Sequence, residues 1–269
     1  MGRGIISINL MGGLGNVMFQ IATMEYLSKV FDIDVCYTNV DTWLDDLITN
    51  YYWETHAEDY LKAFPNLDLY KNHNKRFIAK RRAEVVFRYT ALAPEDGDLF
   101  IGYFQSEMNF TDREYVKNLF KPSEEIINKV ATYDNLFEGI TCSLNVRRRN
   151  YLNFKEIHPP CSLDYYKKAI GTIRNYGVDK FIVFTDDMNW CKNNFNGDEF
   201  VFVEDIDYVE LFLIAKCHHH IIANSSFSWW GAWLGEEVES KIIAPQKWFG
   251  SFLPEDHAAD IIPERWKKI

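Results

Sequence analysis

The sequence predicts an α/β protein of two domains built on parallel sheets, and three observations predict it. Short apolar strands alternate with helical segments over residues 140–244, at the spacing that parallel strands joined by right-handed crossovers require. The chain opens with a strand, a glycine-rich loop and a helix, a unit of the same kind. Its 269 residues are enough for two domains, and a 47% hydrophobic fraction is ample for their cores.

Taken in order, residues 5–10 read as a buried strand that meets Met11-Gly-Gly-Leu-Gly-Asn16. Met18, Phe19, Ile21, Ala22, Tyr26, Leu27 and Val30 then recur at helical spacing, with Asn16 as the expected N-cap. Residues 35–37 are a second strand, and residues 43–60 mix loop and helix. Residues 71–88 hold seven basic side chains against the single acid Glu84 and read as a basic helix. Its face is either solvated or a docking surface for an anionic or peripheral membrane partner. A strand over 99–104 and helices over 111–120 and 123–133 follow. A break near 135–139 gives an N-terminal domain of 1–138 and a C-terminal domain of 139–269. Strands are expected at 140–146, 180–185, 199–203, 220–223 and 241–244. Helices are expected at 162–170 (capped by Ser162), 188–195, 208–217 and 227–234. This second half is Rossmann-like, and ligands on such sheets bind beyond the carboxyl ends of the strands.

Composition excludes several classes. A net charge of -10 argues against a broad nucleic-acid surface, so an anionic ligand would need a local cationic site. Five scattered cysteines without a C-x-x-C pair predict buried thiols, not a disulfide framework or a zinc site. The N-terminus is too short and too soon interrupted by glycine for a signal peptide, and no apolar run approaches the roughly 20 residues that span a bilayer. The expectation is a soluble, cytoplasmic protein.

The strand ends carry the chemistry. After residue 146 come Arg147, Arg148 and Arg149, three mutually repelling guanidiniums that must each find an anion, either carboxylates of this acidic chain or a bound phosphate. After residue 184 come Thr185, Asp186 and Asp187, suited to ribose hydroxyls or base N–H groups, or equally to a helix N-terminus. After residue 223, Asn224, Ser225, Ser226 and Phe227 run into a helix whose free N–H groups form a second anion site. The histidines 218–220 have no partners at metal-ligand spacing and read as strand-start residues. The acids over 204–207 read as helix N-terminal charges, with cation binding as the alternative. Trp229, Trp230 and Trp233 read as core, with spacing that turns at least one indole away from the other two.

Several of these motifs together resemble glycosyltransferase family 11, the α-1,2-fucosyltransferases. They are Gly12-Gly-Leu-Gly-Asn16 with Met18-Phe-Gln20, Gly102-Tyr-Phe-Gln-Ser-Glu107, Val146-Arg-Arg148 with Tyr151-Leu152, and His158 with Cys161-Ser-Leu-Asp-Tyr-Tyr166. Phe184-Thr-Asp-Asp187, Asn224-Ser-Ser-Phe-Ser-Trp-Trp-Gly-Ala-Trp233 and Ala244-Pro-Gln-Lys-Trp-Phe249 complete the series, in order and over nearly the whole chain. The resemblance implies a GT-B-like fold with two Rossmann-like domains facing a cleft and the donor site on the C-terminal domain. It implies inverting transfer of L-fucose from GDP-β-L-fucose to the 2-hydroxyl of a terminal sugar such as galactose in a glycan, with no metal or other cofactor. Arg147 would take the donor pyrophosphate with Arg148 packed behind it, and Gly13, Gly15 and Asn16 would reach the fucose and β-phosphate. Asp186, Asn224, Ser225, Ser226 and Phe227 would bind the nucleotide, and residue 145 would lie toward the base.

This chain departs from the family's H-x-R-R-x-D-Y pattern at Asn145 in place of His, and at Arg149 and Asn150 in place of Gly and Asp. A different GDP-sugar or acceptor, or a non-catalytic nucleotide-sugar or glycan-binding protein, is the alternative those departures raise. Glu156 and His158, just beyond the arginines, are the candidates for a general base. A dinucleotide oxidoreductase is disfavoured because Gly12-Gly-Leu-Gly lacks the G-x-G-x-x-G spacing.

Overall fold

A computed structural model describes residues 3–41, 62–72, 80–83 and 88–269. The expected mixed segment at 43–60 and most of the basic stretch at 71–88 lie outside those residues. The chain divides into two compact units, one of residues 1–123 and 256–263, the other of residues 124–255 and 264–269.

The first unit is a parallel four-stranded sheet in the order β2-β1-β4-β3. Its strands are β1 (Ile5–Ile8), β2 (Asp34–Tyr37), β3 (Lys80–Ala83) and β4 (Asp98–Ile101). Helix α1 (Leu14–Phe31) crosses from β1 to β2, and Met18, Phe19, Ala22 and Met24 are buried along it. Its N-cap is Gly13, not Asn16, which lies inside the first turn. Residues 80–83, expected to be helical, form the edge strand paired with β4. The reason lies in the neighbouring strand: Arg82 Nε sits 2.9 Å from the carboxylate of buried Asp98, so the basic segment answers a core acid there. Charged residues on an edge strand also discourage pairing with another chain. The returning segment is tied to this unit by Asp260, which accepts from the Tyr89 backbone N–H at 3.0 Å. Helix α2 (Arg113–Leu119) closes the unit, capped by Asp112.

The second unit is a parallel six-stranded sheet in the order β10-β9-β8-β5-β6-β7. Its strands are β5 (Thr141–Val146), β6 (Lys180–Thr185), β7 (Phe200–Val203), β8 (His219–Ile221), β9 (Ile242–Ala244) and β10 (Lys267–Lys268). Helices α3 (Glu124–Ala131), α4 (Leu163–Ile173), α5 (Met188–Asn194), α6 (Asp207–Ala215) and α7 (Ser226–Gly235) complete it. Strand alternation divides the core. Cys142, Leu144, Val146 and Val183 pack with Tyr165, Tyr166, Ala169 and Ile173 of α4, whereas Ile182 and Phe184 pack with Val209, Leu213 and Ile214 of α6. The sheet runs outward from β5 to β7, then restarts on the other side of β5 with β8. The carboxyl ends of β5 and β8 therefore flank the point of reversal, where open α/β sheets bind ligands.

Helices α6 and α7 approach closely because α7 carries glycines on the shared side. A Cβ at Gly235 would lie 2.0 Å from the Ala215 carbonyl oxygen. The tryptophans of α7 are fully buried, as core residues should be, but none turns away. Trp229 and Trp233 stack at 5.9 Å, and Trp230 meets them edge-on at 5.1 and 5.2 Å. Rings that large meet around a helix buried on all sides.

The histidines are strand residues: His220 is buried with Nδ1 2.9 Å from Ser143 Oγ. All five cysteines are free and buried, and no metal-ligand cluster occurs among the described residues. No described helix is long and apolar enough to cross a membrane.

Candidate active site

Register sets the arginines of the second unit against two aspartates. Val146 pairs with Thr185, so Arg147–Arg149 leave β5 beside Asp186 and Asp187 leaving β6. Asp186 accepts from the backbone N–H groups of Arg148 at 2.8 Å and Arg149 at 3.1 Å, and lies 3.1 Å from Arg147 Nη1. Asp187 is the N-cap of α5, accepting from the Trp190 N–H, and its other oxygen lies 3.2 Å from Arg148 Nε. The Arg148 guanidinium lies 4.0 Å over the Trp190 ring. Of the two alternatives for the arginine run, the carboxylates are what Arg147 and Arg148 meet. Arg148 is enclosed by a carboxylate and an indole, while Arg147 is ion-paired through one end of its fork and keeps 28% of its side chain exposed.

The other wall is the turn into α7. Asn224 does not offer its amide to a ligand. Nδ2 donates to the carbonyls of Pro159 and Trp248, and Oδ1 accepts from Cys161 Sγ, so the residue ties three loops together. Ser225 is the N-cap, with no side-chain capping bond, and Ser226 is the first helical residue, so the α7 N–H groups face the end of β8. Phe227 packs instead against the core beneath α6. Tyr151 joins the two walls. Its hydroxyl donates to the Asn224 carbonyl at 3.0 Å, and its ring lies 5.6 Å from the Arg147 guanidinium. Burial pushes its phenol up to about 12, so it acts as a donor.

Asn145 is buried inside the sheet, where Nδ2 donates to Ser143 Oγ at 3.1 Å and the Ile221 carbonyl at 3.3 Å. Its amide is a strand-to-strand bridge. His158 is stacked on Tyr151 at 5.1 Å and flanked by Phe249 at 5.6 Å. Burial and then the Arg147 charge hold its pKa below the ordinary histidine value, so the ring is neutral near pH 7. Glu156 is exposed, and its backbone carbonyl accepts from Phe252 N–H. Arg149 is exposed, with no side-chain partner among the described residues.

In the first unit the glycine loop also sits at a reversal of strand order, beyond β1 and β4. Gly12 holds φ +79°, and a Cβ there would lie 2.5 Å from Asn16 Nδ2. Two amides clamp the approach to the loop. Gln20 exchanges bonds with the Met11 backbone at 3.0 and 3.1 Å, and Asn39 does the same with Leu10 at 2.7 and 3.0 Å. Neither was singled out as a site residue from the sequence. A buried glutamine on an otherwise apolar helical face was the available signal for Gln20; Asn39, in a turn, had none.

Parallel sheets in both units define the fold class. It is that of the GT-B-like glycosyltransferases, and known structures agree. The fucosyltransferase NodZ from Bradyrhizobium superposes with a TM-score of 0.58 at 12% identity, covering 86% of this chain and 92% of NodZ. A NodZ α-1,6-fucosyltransferase crystal soaked with GDP-fucose gives 0.57, over 87% and 93%. At that identity the likeness speaks to fold.

The family model of glycosyl transferase family 11 matches residues 2–268, and the chain belongs to that family. An α-1,2-colitosyltransferase of Escherichia coli is 30% identical over 98% of this chain and 99% of its own. WbnK, an O-antigen biosynthesis glycosyltransferase of Escherichia coli, is 32% identical over 65% of this chain, a match spanning 63% of WbnK. Galactoside α-(1,2)-fucosyltransferase 2 of Rattus norvegicus is 23% identical over 94% and 76%. The protein is thus a fucosyltransferase-like glycosyltransferase, which sets aside the oxidoreductase and non-catalytic readings.

Proposed function

We propose that this enzyme transfers L-fucose from GDP-β-L-fucose, with inversion, to the 2-hydroxyl of a terminal galactose of a glycan. The observation that carries the reading is the reversal of strand order in the second unit. It makes β5 and β8 neighbours, so that Arg147, leaving β5, and the N-terminus of α7, following β8, lie at adjacent strand ends. Departure of GDP concentrates negative charge on the β-phosphate. A half-paired arginine and preoriented helix N–H groups stabilise that charge without a metal ion or other cofactor, and cost no reorganisation as it forms. Arg148 would act by holding the turn, Ser225 and Ser226 by contacting the nucleotide side. Asp186 would position Arg147 rather than bind ribose. Gly13, Gly15 and Asn16 would reach the transferred sugar. His158, neutral and next to Arg147, or Glu156 would take the acceptor proton. The enzyme is proposed to work in the cytoplasm.

A second donor has a specific observation in its favour: the relative matched over nearly its entire length is named for colitosyl transfer. The test is an assay of the purified chain with a panel of GDP-sugars and galactose-terminated acceptors, with and without chelator, followed by linkage analysis. GDP-fucose turnover in chelator and a new α-1,2 bond are expected. Exclusive use of another GDP-sugar would replace fucose in the assignment, and a requirement for divalent metal would overturn the metal-free mechanism.

A further inference from the structure

The turns that leave β5 and β8 each carry half of the candidate site, and one side chain joins them. Leu144 pairs with Ile221, and three residues beyond that pair the two strands reach Arg147 and Asn224. Asp186 and Asp187, beyond β6, hold the arginine turn from one side. On the other side the Asn224 amide holds the turn into α7 to the carbonyls of Pro159 and Trp248. The Tyr151 hydroxyl crosses between the two turns and donates to the Asn224 carbonyl at 3.0 Å. Tyr151 is also fixed at its backbone. It lies in a short 3-10 helix, Asn150–Asn153, closed onto the arginine turn by the Leu152 N–H, which donates to the Arg148 carbonyl at 2.9 Å.

The ring of Tyr151 meets two further site candidates. It lies 5.6 Å from the Arg147 guanidinium and 5.1 Å from the His158 ring, the latter stacked at an interplanar angle of 22°. Neither ring nitrogen of His158 has a hydrogen-bond partner among the described residues, so packing against Tyr151 and Phe249 is what orients it. We propose that Tyr151 is a positioning residue for GDP-sugar transfer whose two halves do separate work: the hydroxyl braces the arginine turn against the N-terminal turn of α7, and the ring orients the His158 imidazole. Tyr151 touches no reacting atom. The first half rests on the reading of Arg147 and α7 as the diphosphate grip, the second on that of His158 as the group that takes the acceptor proton. A grip held at fixed spacing before its ligand arrives loses no binding energy to reorganisation. An imidazole held by stacking needs a flat neighbour, and a phenyl ring serves as well as a phenol.

The test uses the full chain with Tyr151→Phe, which removes the hydroxyl and keeps the ring, and Tyr151→Leu, which removes both. Tyr151→Phe should raise the dissociation constant of GDP by about 3- to 10-fold, the loss of one neutral hydrogen bond. Its kcat at saturating GDP-fucose should stay within about threefold, because the brace serves ground state and transition state alike. Tyr151→Leu should in addition lower kcat by about 10- to 100-fold, because the base is no longer aimed. By NMR, the ring-current shift of the His158 ring protons should persist in Tyr151→Phe and be lost in Tyr151→Leu. An unchanged GDP dissociation constant in Tyr151→Phe would overturn the brace. Equal kcat in the two variants, or His158 signals that are the same in both, would overturn the role of the ring. A lower Tm with unaltered GDP binding and kinetics would make Tyr151 a packing residue and overturn both. Calorimetry with GDP needs no turnover, so the two readings can fail separately: absence of transfer from every GDP-sugar would bring down the transferase reading, while weaker GDP binding by Tyr151→Phe would still uphold the brace.

Discussion

Arg147 can be removed without orphaning its partner, which makes it a clean test of the candidate site. Asp186 keeps the N–H groups of Arg148 and Arg149 when the guanidinium is gone, so Arg147→Ala should stay folded. Transfer should fall by about 100-fold or more, and Arg147→Lys should recover only part of it, because an ammonium lacks the planar fork. Retained turnover in Arg147→Ala would reject the assignment.

His220 gives a second residue-scale prediction. Burial, reinforced by His219, pushes its pKa down to about 3, so folding keeps it neutral. Its folded pKa lies below the unfolded value near 6.5. The unfolded chain therefore binds the extra proton first, and the stability His220 contributes is lost as pH falls from about 6.5 toward 3, at most about 1.4 kcal/mol per pH unit. Glu210 opposes this slope. Burial and the neighbouring acids push its carboxyl up to about 8, so its contribution is present at low pH and lost as pH rises through that value. The informative measurement is thus the pH dependence of the stability difference between His220→Gln and the unaltered chain. A difference independent of pH between 4 and 6.5 would exclude the assignment.

At the scale of elements, the α6–α7 contact depends on the absence of a side chain. Gly235→Ala would drive a methyl group into the Ala215 carbonyl, a backbone atom that no rotamer change can move aside. The expected cost is about 1–3 kcal/mol, read as a lower denaturation midpoint at unchanged slope. An unchanged midpoint would mean that the helices separate without penalty. Elements were legible where period and punctuation agreed. β6 was expected at its observed bounds, and Ser162 caps α4 as its position before an apolar run suggested. They were misread where a distant partner decided. β3 is a strand because Arg82 meets Asp98, and nothing in Lys80-Arg-Arg-Ala83 announces a partner 16 residues on. Asn16 had the composition of an N-cap, but Gly13 precedes it in the turn and takes the place.

For the whole molecule, the nucleotide is the most direct probe. GDP at about 100 times its dissociation constant should stabilise the protein by about 2.7 kcal/mol, visible as a rise in Tm that UDP and ADP do not reproduce. An equal response to all three would argue against guanine-specific binding. The resemblance of the motifs, in their order along the chain, was enough to predict the class of enzyme, and parallel strands put the residues at their carboxyl ends on one edge whatever fills the core.

The sequence by itself therefore determined the α/β class, the parallel sheets, the family, and the pool of residues from which a site could be made. Only the tertiary structure decided how those residues divide their work. The Asn145 and Asn224 amides bond to backbone carbonyls, Phe227 packs against the core, and Asp186 accepts from the backbone of the arginine turn. Gln20 and Tyr151, unassigned before, hold the glycine loop and the turn into α7. The physical reason is common to all of them. An amide or carboxylate has the same chemistry whether it faces substrate or backbone, and which it faces depends on sheet register and on partners tens of residues away.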